Sequence, residues 1–413
     1  MMTEKWIHVP YGKTVHGEEE IEAVVSVLRT STQMGKHVRE MEQQVASLFD
    51  KRYGIMVNSG SSANYLAVEM LGLPANSEVI TPALTFSTTL APLIKNQLIP
   101  AFVDVTPATF NIDVDQIESM ITRQTKAMMI PNLLGNFSDW KILREIADQY
   151  HLIVIEDSCD TLGATLNHLS VGRFTDISTT SFYGSHVINC AGNGGMLCVN
   201  EAHLAEKAKL LRSWGRSSSL YVESEAIENR FNTQVDGIDY DAKFVFEAIG
   251  YNLEPSEMGA AFGLVQLKKL AQNIAIRERI FLQHTRFFSQ YEDWFILPKQ
   301  LPNSRTGWLA YALTIKDDAP FTRRDLQIFL EKRNIQTRTV FTGNVLRQPG
   351  FKHIKRKESA AGYRHTDQVM RGGILLGCHH GLTDEMIAHI HQSVREFVKT
   401  KIKQNVTATL ETV

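Results

Sequence analysis

Residues 152–160 read Leu-Ile-Val-Ile-Glu-Asp-Ser-Cys-Asp, an apolar run that ends abruptly in carboxylates. A helical pattern over Asp139–Tyr150 precedes this run, and a second β-rich stretch follows at Ile177–Tyr183. An apolar strand flanked in this way is typical of a parallel sheet, in which crossover helices connect the strands. The stretch therefore predicts an α/β fold.

The alternation of strands and helices continues on both sides, from Tyr53 to about Asn200. It predicts a mainly parallel central sheet with helices on both faces. Two further helices are predicted at Ser62–Leu71 and Asp113–Ile121. The predicted strands are Gly54–Asn58, Val79–Pro82, Pro100–Val105, Ala127–Leu133, Leu152–Asp157, Ile177–Tyr183 and Met196–Asn200.

The pattern of predicted strands and helices changes after about Leu270. We expect a large domain over residues 1–270, which includes an N-terminal arm, and a smaller α+β domain over residues 271–413. The elements predicted for the second domain are the strands Trp308–Lys316 and Gln336–Phe341 and the helices Thr322–Lys332 and Thr383–Lys399.

The composition argues against two classes of partner. The chain of 413 residues has a net charge of −2, so no basic surplus points to nucleic acid or to an anionic membrane surface. No run of about 18 apolar residues occurs, and residues 1–12 lack the apolar segment of a signal peptide. We therefore expect a cytoplasmic protein. Its four cysteines form no CxxC pair, which favours buried, reduced thiols.

Two segments of the first domain have the composition of a ligand site. Residues 58–64 read Asn-Ser-Gly-Ser-Ser-Ala-Asn, between a strand and a helix, where small residues and free N–H groups suit a phosphate. Asp157 ends a strand, and ligands of open α/β sheets lie beyond the carboxyl ends of the strands. A carboxylate there can keep a pyridine nitrogen protonated, which makes the ring an electron sink. Taken alone, residues 58–64 are more typical of an ordinary helix cap, and Asp157 is more typical of a capping or salt-bridged aspartate.

A third segment, Thr180–Val187 followed by Gly192–Gly195, completes a pattern. Together the segments resemble, in order and spacing, the sugar aminotransferase family of fold type I, whose members use pyridoxal phosphate. The resemblance runs from about Gly35 to the helix at Thr383. Further matching pieces are Ala83–Thr89, Gly250–Leu253, Met258–Ala260 and Val340–Asn344.

This resemblance implies roles for individual residues at the cofactor. Gly60, Ser61 and Ser181 correspond to phosphate contacts, and Phe86 to the aromatic residue stacked on the pyridine ring. Asp157 corresponds to the partner of the ring nitrogen. The nearby Asp160 is also expected at the cofactor.

The resemblance also implies partners. Asn252 corresponds to the residue that reaches the cofactor phosphate of the other subunit, so a homodimer with shared sites is expected. Arg338 is a weaker candidate for recognition of the substrate or of glutamate.

His186 stands where the aminotransferases of this family have lysine, and no lysine occurs between Lys141 and Lys207. Imidazole cannot form a stable imine with the cofactor aldehyde, whereas it moves protons near neutral pH. The change resembles the nucleotide-sugar 3-dehydratases, which bind pyridoxamine phosphate and use histidine to remove the 3-hydroxyl of a 4-keto-6-deoxyhexose. The implied product is a 3,6-dideoxy sugar for surface polysaccharide. A nucleotide-sugar transaminase, another elimination and a non-catalytic sugar-nucleotide-binding scaffold remain the alternatives.

Within these dehydratases, one branch carries an iron–sulfur cluster on four thiolates. Cys159 matches one ligand by resemblance, but Ser217–Leu220 stand where that branch has paired cysteines. We therefore expect no cluster and no other metal. The other branch, represented by GDP-4-keto-6-deoxymannose 3-dehydratase, regenerates its amine from glutamate. Val187, Asn193 and Asp160 depart from its pattern, which leaves the nucleotide and the hexose open.

Overall fold

The structure, a computed structural model, describes residues 6–411, and it describes side chains over residues 6–402. Its strands are β1 (Tyr53–Val57), β2 (Glu78–Pro82), β3 (Ile99–Val103), β4 (Thr125–Pro131), β5 (Ile153–Asp157), β6 (Thr165–Leu166), β7 (Leu169–Ser170), β8 (Ile177–Ser181), β9 (Gly195–Val199), β10 (Thr233–Val235), β11 (Ile238–Tyr240), β12 (Phe295–Ile296), β13 (Ser304–Arg305), β14 (Ala310–Ile315), β15 (Arg338–Thr339) and β16 (Gly373–Gly377). Its α-helices are α1 (Glu18–Thr30), α2 (Lys36–Leu48), α3 (Gly60–Glu69), α4 (Ser87–Lys95), α5 (Trp140–Tyr150), α6 (Ala202–Arg212), α7 (Ile227–Phe231), α8 (Glu257–Phe288), α9 (Arg323–Glu331), α10 (Arg364–Gly372) and α11 (Asp384–Glu411).

The central sheet has the strand order β1-β9-β8-β5-β4-β2-β3. Its strands run parallel except for β9, which is antiparallel to both of its neighbours. Because side chains alternate along a strand, Ile155 packs on one face in a cluster with residues of α3 and α6. Val154 packs on the opposite face with Trp140 of α5. The prediction of a mainly parallel sheet covered on both faces is confirmed.

A second, antiparallel sheet of order β12-β14-β16-β15 lies towards the C-terminus. Leu326 of α9 and Ile390 of α11 are buried in the core beside it. Helix α8 connects the two regions: Leu264 belongs to a cluster that includes residues of α2, and Phe281 belongs to the core of the second sheet. The boundary expected at residue 270 falls inside this helix and stays a prediction.

Two local predictions are wrong. Asp113–Ile121 forms two short 3-10 turns rather than an α-helix, since the Asp113 side chain accepts from the Asp115 amide and starts a tight turn. Only Arg338–Thr339 of the predicted strand Gln336–Phe341 pairs with β16, because Phe341 adopts a positive φ of 41° that leaves the extended conformation. Over the described residues, no helix is both long and apolar enough to cross a membrane.

Candidate active site

A cavity of about 380 Å³ opens beyond the carboxyl ends of β4, β5 and β8. Its volume lies within the range of roughly 300–1,000 Å³ that is typical of small-molecule sites. Seven of the nine residues that the sequence assigned to the site line this cavity. They are Gly60, Ser61, Phe86, Asp157, Asp160, Ser181 and His186.

Asp157, the last residue of β5, is fixed by three donors. Its Oδ2 accepts from Asn64 Nδ2 at 2.7 Å and from Thr89 Oγ1 at 2.8 Å. Its Oδ1 accepts from the Cys159 amide at 3.2 Å. Asn64 is itself oriented by Thr179 Oγ1, which donates to its Oδ1 at 2.6 Å. A carboxylate held in this way presents a fixed negative charge to the cavity and fits the ring nitrogen of a pyridine cofactor.

The first turn of α3 meets the end of β8 at very close range. A Cβ on Gly60 would lie 2.5 Å from Ser181 Cβ and 2.8 Å from Cys159 Sγ, so only glycine fits. Ser59 caps the helix, since its Oγ accepts from the Ser62 amide at 3.1 Å. The amides of Gly60 and Ser61 lie in the first turn, where backbone donors have no partner within the helix. This cradle of amides and hydroxyls fits a phosphate.

Phe86 lies at the start of α4 on the wall of the cavity, and 49% of its surface is exposed. Its only aromatic neighbour in the described chain is Phe341, whose ring lies edge-on at a centroid distance of 5.7 Å. The face of Phe86 is therefore available to a planar ligand, as the stacking role requires.

His186 lies in the loop 182–194 between β8 and β9, and 12% of its side chain is exposed. Its Nδ1 lies 3.1 Å from the carbonyl oxygen of Ser181. Because a carbonyl oxygen only accepts, this bond places a proton on Nδ1 and leaves Nε2 with a free lone pair. Burial lowers the pKa of His186 to about 4, and the Arg277 cation lowers it as well. The imidazole is therefore a neutral base at physiological pH.

Among the residues that line the cavity, Asp160 is the one best suited to act as a general acid. Its Oδ1 lies 3.9 Å from His186 Nε2, and its Oδ2 accepts from the Leu134 amide at 2.9 Å. Burial raises the pKa of Asp160 to about 7, and the negative charge of Asp157 acts in the same direction. The cavity thus places an uncharged base beside a carboxyl that holds its proton up to near neutral pH.

Two assigned residues lie outside this cavity. Asn252 is exposed, and its backbone pairs with Ser213. Arg338 is also exposed, but its guanidinium carbon lies 5.5 Å from the ring centroid of Tyr11, which does line the cavity. Arg338 is therefore one side chain away from the site.

Cys159 and the serines of residues 217–219 line different cavities where they line one at all. Cys159 lines the cavity beside Asp157, whereas Ser218 and Ser219 line a separate cavity next to Trp214. The correspondence of Cys159 to one cluster ligand and the absence of a cluster both stay predictions. In the described part of the chain, no three His, Cys, Asp or Glu side chains are grouped to hold a metal ion.

No role at the site could be assigned from the sequence to three further residues that shape it. Tyr11 enters the cavity from the N-terminal segment, which has no regular structure at this point. Asn64 orients Asp157 from within α3. Arg277, from α8, is fully buried and donates to the carbonyl oxygens of Ser185 and His186. An arginine within a helix is normally exposed, so only the tertiary structure identifies it.

Most of the chain matches one family of known proteins. Residues 14–395 match the model of the DegT/DnrJ/EryC1/StrS aminotransferase family. The chain belongs to this family. The resemblance and the fold that it implies are thereby confirmed.

Curated relatives include dTDP-4-dehydro-2,6-dideoxy-D-glucose 3-dehydratase from Saccharopolyspora spinosa, which is 35% identical over 94% of this chain and 86% of that protein. GDP-4-keto-6-deoxy-D-mannose 3-dehydratase from Yersinia pseudotuberculosis is 30% identical over 94% of this chain and 99% of that protein. Among solved structures, a GDP-4-keto-6-deoxymannose-3-dehydratase with a trapped PLP-glutamate geminal diamine superposes with a TM-score of 0.84. It is 28% identical and covers 94% of this chain and 100% of its own.

Proposed function

We propose that this protein is a nucleotide-sugar 3-dehydratase that uses pyridoxamine and pyridoxal phosphate. Its substrate is a nucleotide-linked 4-keto-6-deoxyhexose, and its product is the 3-deoxy, 4-keto sugar, a precursor for surface polysaccharide. The observation that carries the proposal is the position of His186 in the cofactor cavity with Nε2 free as a base. The relatives named as 3-dehydratases support it.

The residues of the cavity fit the cofactor. Asp157 would hold the ring nitrogen in its protonated form, Phe86 would cover one face of the ring, and Gly60, Ser61 and Ser181 would bind the phosphate. When bound, pyridoxamine phosphate supplies an amine that reacts with the 4-keto group and a ring that accepts electrons.

Proton transfer is then the task of His186. With Nδ1 bonded to the Ser181 carbonyl, Nε2 accepts a proton from the carbon beside the ring and returns one to the departing 3-hydroxyl. A histidine forms no covalent bond with the cofactor aldehyde, so it stays free to move protons. Lysine at this position favours transamination, because it returns the proton to the sugar carbon. The histidine therefore separates this proposal from the aminotransferases of the same family.

Glutamate is proposed as the amine donor that restores the cofactor, as the adduct in the solved relative suggests. Arg338 is the candidate for its carboxylate, since it lies against the Tyr11 ring at the edge of the cavity. A guanidinium presents paired donors that match a carboxylate.

A homodimer in the cytoplasm is the proposed form of the enzyme. The segment 221–249 exposes a run of large apolar side chains that a partner surface has to cover. Asn252 follows this segment and is exposed, which suits a residue that reaches the cavity of a second copy. The exposed apolar residues are Tyr221, Val222, Ile227, Phe231, Val235, Ile238, Tyr240, Phe244, Phe246 and Ile249.

Replacing His186 by asparagine tests the proposed role. Loss of general acid–base catalysis typically costs about 100- to 10,000-fold, so turnover should fall by that much while cofactor affinity stays close to wild type. His203→Asn is the matched control, because His203 is exposed on α6 and does not line the cavity. Turnover of His186→Asn within threefold or so of wild type would refute the assignment, since such a factor is far below an acid–base effect.

A further inference from the structure

The loop that carries His186 is held from outside the cavity by one face of α8. Three consecutive carbonyl oxygens of this loop accept from side chains of that helix. Arg277 Nη2 donates to Ser185 O at 3.1 Å and to His186 O at 2.9 Å. Asn273 Nδ2 donates to Val187 O at 3.0 Å. Since residues 273 and 277 are four apart, they lie on the same face of the helix.

Arg277 is an unusual residue for this task because it is completely buried and its bonds go to neutral acceptors. Besides the two loop carbonyls, Nη1 donates to Trp308 O at 2.8 Å and Nε donates to His380 Nδ1 at 3.2 Å. Burial lowers the pKa of Arg277 to about 10. A cation buried without a bonded carboxylate is costly, so a contribution to folding alone explains it poorly. Its rigid fork of donors, however, satisfies four acceptors at once.

The charge of Arg277 also reaches the titratable groups of the cavity. It lowers the pKa of His186, although burial lowers that pKa more. It also lowers the pKa of Asp160, which burial raises by a larger amount. Asp157 opposes this effect at His186. The other titratable groups around Arg277 are Tyr11 from the N-terminal segment and Cys378, His379 and His380 from the segment after β16.

We propose that Arg277 is the positioning residue of His186: its guanidinium fixes the backbone of the loop, and its positive charge lies close enough to act on the imidazole. With Ser185 O and His186 O anchored, the His186 ring keeps Nδ1 on the Ser181 carbonyl and Nε2 towards the cavity. Asn273 contributes to the geometry but carries no charge. The effect on turnover rests on the proposed function, whereas the protonation state of His186 does not.

Three variants separate charge from geometry. Arg277→Gln removes the cation, Arg277→Lys keeps a cation but loses the fork, and Asn273→Ala removes one carbonyl contact without changing charge. Arg323→Lys and Arg323→Gln are the matched controls, since this half-buried arginine donates to Met370 O and does not line the cavity.

The first readout is the rate at which diethyl pyrocarbonate modifies His186 in the absence of substrate, measured by mass spectrometry of its peptide. In wild type the rate should be flat from about pH 5 to about pH 8, because the imidazole is neutral throughout. In Arg277→Gln the rate should begin to fall at a higher pH than in wild type, since removing the cation raises the pKa of His186 while burial still lowers it. Asn273→Ala should keep the flat profile.

The second readout is kcat for the sugar. Arg277→Lys should lose on the order of 100-fold, because a misplacement of about 1 Å at a reacting group has that effect. A flat modification profile in Arg277→Gln would overturn the role of the charge, and wild-type kcat in Arg277→Lys would overturn the role of the fork. If Arg277→Gln fails to fold, Arg277→Lys and Asn273→Ala decide the proposal. Asn273→Ala is expected to lower kcat without changing the pH dependence of His186 modification. The modification assay needs no turnover, so it remains decisive even when the sugar is not dehydrated.

Discussion

Replacing Gly60 by alanine should weaken both the fold and the binding of the cofactor. The new Cβ would lie 2.5 Å from Ser181 Cβ, and ordinary contact begins at 3.4 Å, so the end of β8 has to retreat by about 0.9 Å. Overpacking of this kind costs about 1–3 kcal/mol, and the better helix propensity of alanine offsets up to about 1 kcal/mol. The free energy of unfolding should therefore fall by no more than about 3 kcal/mol.

The same displacement opens the phosphate cradle, because Ser181 forms one of its walls. We expect the dissociation constant for pyridoxal phosphate to rise at least about tenfold, equivalent to about 1.4 kcal/mol. Fluorescence titration of the cofactor-free protein measures it, and thermal unfolding checks that the variant is folded. Gly350→Ala is the control, because a Cβ there meets no atom within 4 Å. A folded Gly60→Ala variant with wild-type affinity would refute the assignment of the cradle.

Four further predictions follow from the same structure. His186→Lys should form a covalent bond with pyridoxal phosphate that borohydride traps; a trapped adduct in wild type would show that another residue is the anchor. Burial raises the pKa of Asp160 to about 7, far above the value of about 3.9 in an unfolded chain, so folding is favoured while the carboxyl is protonated. Wild type should therefore lose stability relative to Asp160→Asn as the pH rises from about 4 to about 7, and parallel melting curves of the two cofactor-free proteins would contradict this. Anaerobic purification followed by metal analysis should find no iron, and stoichiometric iron with acid-labile sulfide would overturn that prediction. Sedimentation should show a dimer that Ile249→Asp weakens and Ile402→Asp, at another exposed isoleucine, does not; a fully active monomer at micromolar concentration would rule out the shared site.

The central sheet could be predicted because each of its strands is a short apolar run between helical patterns. The stretch 152–160 illustrates this, since its apolar residues form β5 and its first carboxylates fall at the strand end. The prediction failed where the local signal was weak. Phe341 gives no sign in the sequence that its backbone leaves the extended conformation, and this position ends the edge strand β15.

The site could be predicted only in part, for a physical reason. Asp157, Gly60 and His186 lie at strand ends and turns, where the sequence pattern and the family resemblance both apply. Arg277 lies inside a 32-residue helix, and nothing in its neighbours distinguishes it from an exposed arginine. Its role depends on three backbone carbonyls and one imidazole nitrogen that folding brings to it. Such contacts are formed by backbone atoms, which every residue has, so the sequence carries no record of them.

The most direct test of the proposed function is mass spectrometry of the sugar nucleotide after incubation with the protein, pyridoxal phosphate and glutamate. A panel of nucleotide-linked 4-keto-6-deoxyhexoses covers the choice of nucleotide and hexose. With His186 as a base in place of lysine, one of these sugars should lose its C3 oxygen and keep its C4 carbonyl. A product that keeps the C3 oxygen and gains an amino group at C4 would make the protein a transaminase and contradict the dehydratase proposal.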